Sequence, residues 1–412
     1  MAEKTKTTKI KHMAIYDAIC SAIVDGKYIP GEKIPTEKEI AAQFSASRPT
    51  VGRAMRDLEQ HGMLVRRQGA GTFVRNTTNS STKTFGILIP WQGDDSFDSK
   101  TSVFTVMVSE ISRILGRSGH TLSLNESVCN DIGEISKQAN AICRQLIEHQ
   151  VAGVFFMPIE DSVSDMKLNV EIAEAFERAD IAVVLLDRDI NEWSHRSKYD
   201  VVAIDNEYSS YVITRHLLKL GCKRIDFLTG VMGVTSVMGR IEGFWKALRE
   251  AGISCEASRI SQIDPIKLIN LHVDNNKAEL DPIVERIRSG QAEAIVCVND
   301  MTAIRLMRHL LNIGISIPGD VRIVGFDDSP MDEFLPVPLT TIRQNVRALA
   351  YEAVRTLKSR IERPDSPARD VMVATELIIR GSCGSWTADE RIDSPIGLNL
   401  AGLATLANLS VI

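Results

Sequence analysis

The 412-residue sequence lacks the short motifs that define the common enzyme and metal-binding classes. It contains no G-x-S-x-G elbow, no Walker-type loop and no cysteine or histidine spacing typical of zinc. Its seven cysteines form no C-x-x-C pair, which predicts reduced thiols. A membrane span would need about 18 consecutive apolar residues, which are absent, and the polar N-terminus predicts no secretion signal. We therefore expect a cytoplasmic protein that is not an enzyme and needs no metal or other cofactor.

What the sequence does contain, from residue 36 onwards, is a pattern of two short helices. Thr36 followed by Glu39 is a capping box that begins the first helix. Ser47 suits the N-cap of the second helix, and Pro49 fits its first turn. The apolar stripe of the second helix consists of Val51, Ala54, Met55 and Leu58. The residues off this stripe, which we predict to face outward, are Arg48, Thr50, Arg53 and Arg56. This pattern is typical of a helix-turn-helix, whose second helix enters the DNA major groove.

A basic hairpin follows the two helices. Residues 64–67 and 72–75 read as strands on either side of the glycine-rich segment 68–71, which could approach a phosphate or enter a minor groove. Residues 1–76 hold 13 Lys and Arg against 8 Asp and Glu, whereas the rest of the chain holds 35 against 45. Only this module therefore has a net positive charge, as expected for DNA binding. The plainer alternative is a small helical bundle with a solvated basic face.

Residues 10–76 resemble the winged-helix domain of the GntR family of transcription regulators. The resemblance is carried by residues 34–39, 47–51 and 68–73. It implies DNA contacts from both helices and from the wing, at Thr36, Glu37, Lys38, Ser47, Arg48, Thr50, Arg53, Gln68, Gly69 and Gly71. The chain departs from the family at Gly52, where the family usually has arginine. Glycine there costs the helix about 1 kcal/mol and removes a possible DNA contact.

After a polar linker at residues 77–83, short apolar strands alternate with amphipathic helices. Runs such as 153–157, 182–186 and 294–298 are apolar throughout, as in parallel strands covered by helices on both faces. About 300 residues of this pattern exceed one such sheet. The predicted fold class is α/β, with a winged helix-turn-helix at residues 1–76 and a two-lobed α/β effector domain at residues 84–384.

Polar residues follow several of the predicted strands. The pairs are Trp91 with Gln92, Asp187 with Arg188, Asn299 with Asp300, and Asp327 with Asp328. Ligands of parallel sheets bind at the carboxyl ends of strands. Carboxylates accept hydrogen bonds from hydroxyls, arginine donates them, and tryptophan can cover an apolar ring face. The set therefore predicts a site for a polyhydroxylated ligand, although turns and helix caps would explain any one of these residues alone.

Residues 84–384 resemble the effector domain of the lactose-repressor family, which is similar to periplasmic sugar-binding proteins. The resemblance is carried mainly by residues 240–244, 317–328, 339–344 and 376–382. It implies ligand contacts at Trp91, Asp187, Arg188, Arg240, Asn299, Asp327 and Gln344. It also implies two discontinuous lobes, formed by residues 84–204 with 346–372 and by residues 205–345 with 373–384.

A GntR-type DNA-binding module joined to such a sensor resembles the arabinose-repressor group. The resemblance implies a homodimer on double-stranded operator DNA and a small effector, most simply a monosaccharide, that relieves repression. A corepressor, an activator, or a nucleoside or amino-acid ligand is also compatible with the sequence. An enzyme using Asp327 and Asp328 as acid and base is the main rival. A pyridoxal-phosphate enzyme domain would be far longer, and an exported sugar-binding module would have no use for a winged helix. For the tail, residues 385–412, a partner helix, a packed cap and a disordered end are equally compatible.

Overall fold

The structure is a computed structural model, and it describes most of the chain. The described residues are 12, 14–16, 18–20, 22–23, 26–60, 63–67, 69–74, 82–89, 103–124, 135–159, 163–191, 195–230, 234–263 and 280–385. Gln68, Trp91 and the tail beyond residue 385 lie outside them. No helix in the described part is long and apolar enough to cross a membrane. The chain forms two compact units, residues 1–86 with 109–124 and residues 87–108 with 125–412. The domain boundaries proposed from the sequence stay a prediction.

The N-terminal module contains two helices and a hairpin. Its elements are α1 (Glu37–Gln43), α2 (Arg48–Gln60), β1 (Leu64–Arg67) and β2 (Gly71–Val74), and β1 pairs antiparallel with β2. The capping box is present, because Thr36 accepts from the Glu39 amide and Glu39 accepts from the Thr36 amide. The turn between the helices is tight, with Ser45 at φ 47°. The predicted stripe of α2 is buried against Ile15, Ile40 and Leu64, so this local prediction is confirmed.

A six-stranded parallel sheet follows. Its strands and helices are β3 (Thr84–Leu88), α3 (Val103–Arg117), β4 (Thr121–Ser123), α4 (Ile135–Glu148), β5 (Gly153–Phe156), α5 (Val163–Arg178), β6 (Ala182–Leu186) and β7 (Asp200–Ile204). The last strand, β13 (Asp370–Val373), returns from near the end of the described chain, and the order is β13-β7-β6-β5-β3-β4. The four residues of β5 and the five of β7 are all buried, as predicted for strands covered on both faces.

A four-stranded parallel sheet comes next along the chain. Its elements are α6 (Asn206–Lys219), β8 (Ile225–Thr229), α7 (Thr235–Glu250), β9 (Ile260–Gln262), α8 (Asp281–Arg288), β10 (Ala294–Cys297), α9 (Asp300–Asn312) and β11 (Arg322–Val324), with strand order β11-β10-β8-β9. Helices α6 and α7 cross closely at Gly243. A Cβ atom there would lie 2.0 Å from the Glu207 carbonyl oxygen. Only glycine permits this approach of two backbones.

The chain passes between the two sheets three times. Strand β7 of the first sheet is followed by α6, whose N-cap is Asp205. Strand β12 (Thr341–Gln344) is followed by α10 (Val346–Glu362), whose N-cap is Asn345 and which contacts β5, β6 and β7. Strand β13 is followed by β14 (Thr375–Ile378), which pairs antiparallel with β12. The six-stranded sheet is therefore not built from one continuous stretch of sequence, because β13 comes after all four strands of the second sheet.

The mixed α/β architecture with an N-terminal helix-turn-helix confirms the predicted fold class. The apolar periodicity of the sequence predicts helices at residues 241–251 and 170–178, and both predicted starts were wrong, because α7 begins at Thr235 and α5 at Val163. Residues 235–239 lack a regular apolar stripe, so periodicity did not reveal that first turn. The short strands β9, β13 and β14 were also missed, because partly exposed strands of three or four residues carry little pattern.

Candidate functional site

The side chains near the start of α2 differ in exposure: some are open to solvent and others are buried in hydrogen bonds within the module. Arg48 and Arg53 are exposed, as are Arg56 on the same helix and Lys38 on α1. Thr50 is not exposed, because only 6% of the residue is accessible and its hydroxyl lies 2.7 Å from the Ser47 hydroxyl. The prediction that Thr50 faces outward was therefore wrong. A hydrogen bond one turn back along the helix turns the Thr50 side chain away from solvent.

Glu37 links the helix-turn-helix to the wing. Its carboxylate accepts a hydrogen bond from the Arg66 guanidinium on β1. The Arg66 amide in turn donates to Glu59 on α2 over 3.4 Å. Gly52 is buried beneath the same carboxylate, and a Cβ atom at that position would lie 3.5 Å from a Glu37 oxygen. The departure from the family at Gly52 thus falls next to the ion pair that joins α1 to β1.

The wing tip needs its glycines. Gly69 and Gly71 have φ of 76° and 117°, conformations that favour residues without a Cβ atom. A Cβ atom at Gly71 would also lie 2.6 Å from the Lys33 side chain. Arg67 stacks on Phe73 at 4.8 Å from its ring centroid. The tip therefore presents backbone and basic side chains on the same small hairpin.

The described candidates for ligand contact come together where parallel strands end. Asp187 and Arg188 follow β6, and their side chains form an ion pair of 3.1 Å. Arg188 is 7% exposed and donates to the Ser236 hydroxyl at the start of α7 over 3.3 Å. Burial lowers the pKa of Arg188 to about 9, with the charge of Arg240 acting in the same direction. Burial also raises the pKa of Asp187.

Arg240 lies on α7 and is held from three directions. Its Nε donates to Asn206 Oδ1 over 2.9 Å, and its Nη1 donates to the Val298 carbonyl over 2.5 Å. Its guanidinium carbon lies 3.7 Å from the centroid of the Phe326 ring. Only 8% of the residue is exposed. These contacts fix one face and two donor positions of the guanidinium.

Asp327 and Gln344 meet directly. The Gln344 amide donates to Asp327 Oδ1 over 2.7 Å, and Asp327 adopts a φ of 134°. Asn299, in contrast, uses its side-chain oxygen to cap α9, accepting from the Thr302 amide over 2.8 Å. Asn299 is therefore a helix cap, which is the alternative to a ligand contact that the sequence left open for each strand-end residue. Its amide nitrogen remains the group that could donate to a ligand.

Asp300 follows Asn299 and Asp328 follows Asp327, and both of these second residues have a structural role. Asp328 pairs with Arg343 at 2.5 Å and with Arg380 at 2.6 Å. Asp300 is 1% exposed and accepts from the Thr341 hydroxyl over 2.6 Å and from the Ser329 amide over 2.9 Å. Neither is free to act as an acid or base beside Asp327. The sequence analysis did not select Asn206 and Ser236. Asn206 follows the end of β7 closely enough for the strand-end rule to have found it, whereas Ser236 lies on the first turn of α7.

A cavity of about 380 Å³ lies beside these groups. It is lined by Asp187 and Arg188 and by Asn206 and Ser236, together with residues of β7, β13 and the loop before β7. Arg240, Asn299, Asp327 and Gln344 do not line it. A much smaller hollow, about 10 Å³, is lined by Asp187 and Gln344. Asp187 thus borders both spaces. Arg240 does not line the larger cavity, but it donates a hydrogen bond to Asn206, which does.

Asp327 should make stability depend on pH. Burial raises its pKa from 3.8 to about 7, the nearby Asp300 acts in the same direction, and Arg240 opposes the change. The folded state then keeps a proton that the unfolded chain releases, so this contribution is complete below about pH 4 and is lost as pH rises towards 7. We expect Asp327→Asn to flatten that decline, as measured by urea midpoints between pH 5 and 8. If the urea midpoint of the variant depends on pH as steeply as that of the unaltered protein, a group other than Asp327 causes the decline in stability.

The two halves of the molecule define its class. A winged helix with exposed basic residues on its second helix is joined to an α/β domain in which buried polar side chains converge beside a cavity. The first part suits DNA and the second suits a small ligand. Such a chain is a ligand-controlled DNA-binding regulator.

Comparison with known proteins gives the family. Residues 11–74 match bacterial regulatory proteins of the gntR family, and residues 214–383 match the periplasmic binding protein-like domain. The chain is 29% identical over 395 residues to the arabinose metabolism transcriptional repressor of Geobacillus stearothermophilus, covering 93% of this chain and 99% of that protein. It is 30% identical over 310 residues to the HTH-type transcriptional repressor PurR of Vibrio atlanticus, covering 75% and 83%.

Among solved structures, a LacI family transcriptional regulator from Enterococcus faecium with bound ribose shares the fold. Its TM-score is 0.56 at 24% identity, covering 73% of this chain and 98% of that one. The protein therefore belongs to the bacterial transcriptional regulators that join a gntR-family helix-turn-helix to a periplasmic binding protein-like domain. These relatives are regulators, so the predictions of a DNA-binding regulator and of a protein that is not an enzyme are confirmed. Regulators of this family bind DNA and small-molecule effectors.

Proposed function

We propose that the chain is a cytoplasmic, homodimeric repressor of carbohydrate-use genes whose operator binding is controlled by a monosaccharide. The observation that carries the proposal is the cluster of Asp187, Arg240, Asp327 and Gln344, of which Arg240 and Gln344 are buried, in the same chain as an exposed basic recognition helix. Carboxylates and an amide accept from sugar hydroxyls, and the guanidinium donates to them. A relative named for arabinose metabolism and a structural neighbour with bound ribose support a sugar as the effector.

In the proposed mechanism, two copies place their recognition helices on the half-sites of a pseudo-palindromic operator. Lys38, Arg48 and Arg53 neutralise DNA phosphates or read bases. Thr36, Ser47 and the wing glycines lie close to the sugar-phosphate backbone of the DNA. The Glu37–Arg66 pair holds the wing, and Thr50 holds Ser47 through their hydroxyl contact. Sugar binding favours a closed arrangement of the lobes and weakens operator binding. Ligand and DNA affinities are then coupled reciprocally, by about 1–3 kcal/mol.

Ligand-dependent unfolding of the full chain is the direct test of the sensor. We expect a saturable rise in Tm with one member of a panel of pentoses, hexoses, uronic acids and sugar phosphates, because a ligand that binds only the folded state stabilises it. Sedimentation of the unliganded protein should show a dimer. If no sugar in the panel raises Tm while nucleosides or amino acids do, the regulator stands and the sugar assignment fails.

Arg48→Ala tests the DNA-binding surface. We expect weaker binding to an operator selected from random-sequence DNA, and a salt dependence whose slope falls by about 0.9 for each phosphate that the variant no longer neutralises. Fluorescence anisotropy at several salt concentrations measures both quantities. Arg249→Ala is the matched control, since it removes an exposed arginine of α7 and should leave both unchanged. Equal operator affinity and slope in Arg48→Ala and the unaltered protein would remove Arg48 from the interface.

A further inference from the structure

The exposed basic side of helix α2 has a gap in its middle. Arg48, Gly52 and Arg56 are four residues apart, so they follow one another along one side of the helix. Both arginines are exposed, whereas Gly52 is buried although it has no side chain. A group from another element must therefore cover the helix at Gly52.

The cover comes from Glu37, the first residue of α1. A Cβ atom at Gly52 would lie 3.5 Å from Glu37 Oε2, 3.8 Å from Oε1 and 3.9 Å from the carboxyl carbon. The carboxylate thus lies across α2 at Gly52, between the positions of Arg48 and Arg56. Because 37% of the Glu37 side chain is exposed, this negative group belongs to the same surface as the two arginines.

Arg66 on β1 holds this carboxylate by one oxygen. Its Nη2 donates to Glu37 Oε1, and its Nε lies 4.0 Å from a Glu59 oxygen. Among the described residues, no hydrogen bond reaches Glu37 Oε2. The ion pair therefore orients the carboxylate and leaves the oxygen nearest to Gly52 able to accept from a group outside the chain.

A carboxylate on this side of α2 can discriminate between bases in the major groove. It accepts hydrogen bonds and cannot donate them. In that groove guanine presents the acceptors N7 and O6, thymine presents the acceptor O4, and adenine presents its amino donor beside the acceptor N7. Cytosine presents its N4 amino donor with no acceptor beside it. A carboxylate is therefore attracted to cytosine and repelled by guanine and thymine.

We propose that Glu37 is a specificity-determining residue, whose Oε2 accepts a hydrogen bond from the N4 amino group of a cytosine in each half-site. The inference rests on the proposed function, since it names a base that the operator must contain. Arg66 is the positioning residue for this contact, and Gly52 leaves the space that the carboxylate occupies. An arginine at Gly52 would pair with Oε2, and arginine reads guanine rather than cytosine.

Selection from random-sequence DNA tests the inference with the full chain. We expect the operator selected by the unaltered protein to contain one cytosine in each half-site whose preference depends on Glu37. In Glu37→Ala, the ratio of affinities for this operator and for one with thymine at that position should fall about fivefold or more, the effect of one mismatched base pair. Glu37→Gln should instead prefer adenine there, because glutamine pairs with adenine N6 and N7. Fluorescence anisotropy measures each affinity.

Glu59→Ala is the matched control. It removes the other carboxylate beside Arg66, which has the same exposure at 38% but does not cover Gly52, and it should keep the cytosine preference. Gly52→Arg should move the preference at that position to guanine. If Glu37→Ala and Glu37→Gln select the same bases as the unaltered protein at every position, the inference is overturned and the proposed function stands. If none of the proteins enriches any sequence, both are overturned.

The positioning role of Arg66 has its own test. Arg66→Met removes the partner of Glu37 and should lower the cytosine-to-thymine affinity ratio, whereas Arg66→Lys keeps the charge and should restore much of that ratio. A general loss of wing structure would weaken binding to both operators equally and leave the ratio unchanged. An unchanged ratio in Arg66→Met therefore overturns the role assigned to Arg66.

Discussion

Asp327→Ala is expected to shift the response of operator binding to effector concentrations that are roughly tenfold to a hundredfold higher, while leaving operator affinity in the absence of effector unchanged. The Asp327 carboxyl accepts from Gln344 and lies in the field of Arg240, so its removal takes an acceptor from the ligand and leaves the Gln344 amide without its partner. Removing a hydrogen bond to a charged group costs about 1.5–3 kcal/mol, which corresponds to a loss of effector affinity of roughly tenfold to a hundredfold. Anisotropy with labelled operator, titrated with effector, measures the response.

The control for this variant is Asp365→Ala, which removes an exposed carboxylate from a turn after α10. It should retain the full response. Asp327→Asn separates charge from hydrogen bonding, because its amide oxygen can still accept from Gln344. An effector response at unshifted concentrations in Asp327→Ala would mean that the ligand binds away from the ends of β10 and β11.

Gly243→Ala is expected to destabilise the effector domain strongly. Its Cβ atom would lie 2.0 Å from the Glu207 carbonyl oxygen and 2.9 Å from the Tyr211 amide nitrogen. Both are backbone atoms of α6, so no flexible side chain can move aside, and the two helices must separate. Overpacking of this kind costs about 1–3 kcal/mol or more, and Tm should fall by several degrees.

The same substitution at Gly116 is the matched control, because that helical glycine has no heavy atom within 4 Å of an added Cβ. Alanine there should be neutral or stabilise by up to about 1 kcal/mol. Gly243→Ala should also weaken effector binding, since Asn206 and Arg240 lie on the two helices that it forces apart. A Tm equal to that of the unaltered protein would show that α6 and α7 can separate at no cost.

The parts of the structure that depend on local rules could be predicted from the sequence. The capping box at Thr36 and the buried stripe of α2 follow from neighbours within one or two turns. The apolar strands indicate parallel sheets for the same reason. Thr50 was misjudged because its position around the helix says nothing about the hydroxyl of Ser47, which draws the side chain inward.

The site itself was only partly accessible from the sequence. The strand-end rule pointed to Asp187 and Asp327, because parallel strands end at one edge of their sheet. It could not distinguish Asp327 from Asp328, since Arg343 and Arg380, which neutralise Asp328, come from distant segments. Asn206 also follows a strand end, that of β7, but its bond to Arg240 on α7 could not be foreseen because it exists only once two helices cross.

The three chain crossings between the sheets have a consequence for biosynthesis. Strand β13 is paired along β7, yet it lies after the whole second sheet in the sequence. As the chain leaves the ribosome, the winged helix is complete long before the first sheet can acquire this strand and the cover of α10. The edge of β7 stays unpaired meanwhile. Pairing between strands that are distant in sequence is slow, and an unpaired strand edge is prone to pair with the wrong partner. A nascent chain therefore holds its DNA-binding module before it holds a working sensor, and release of stalled or truncated products would yield a module that no effector can control.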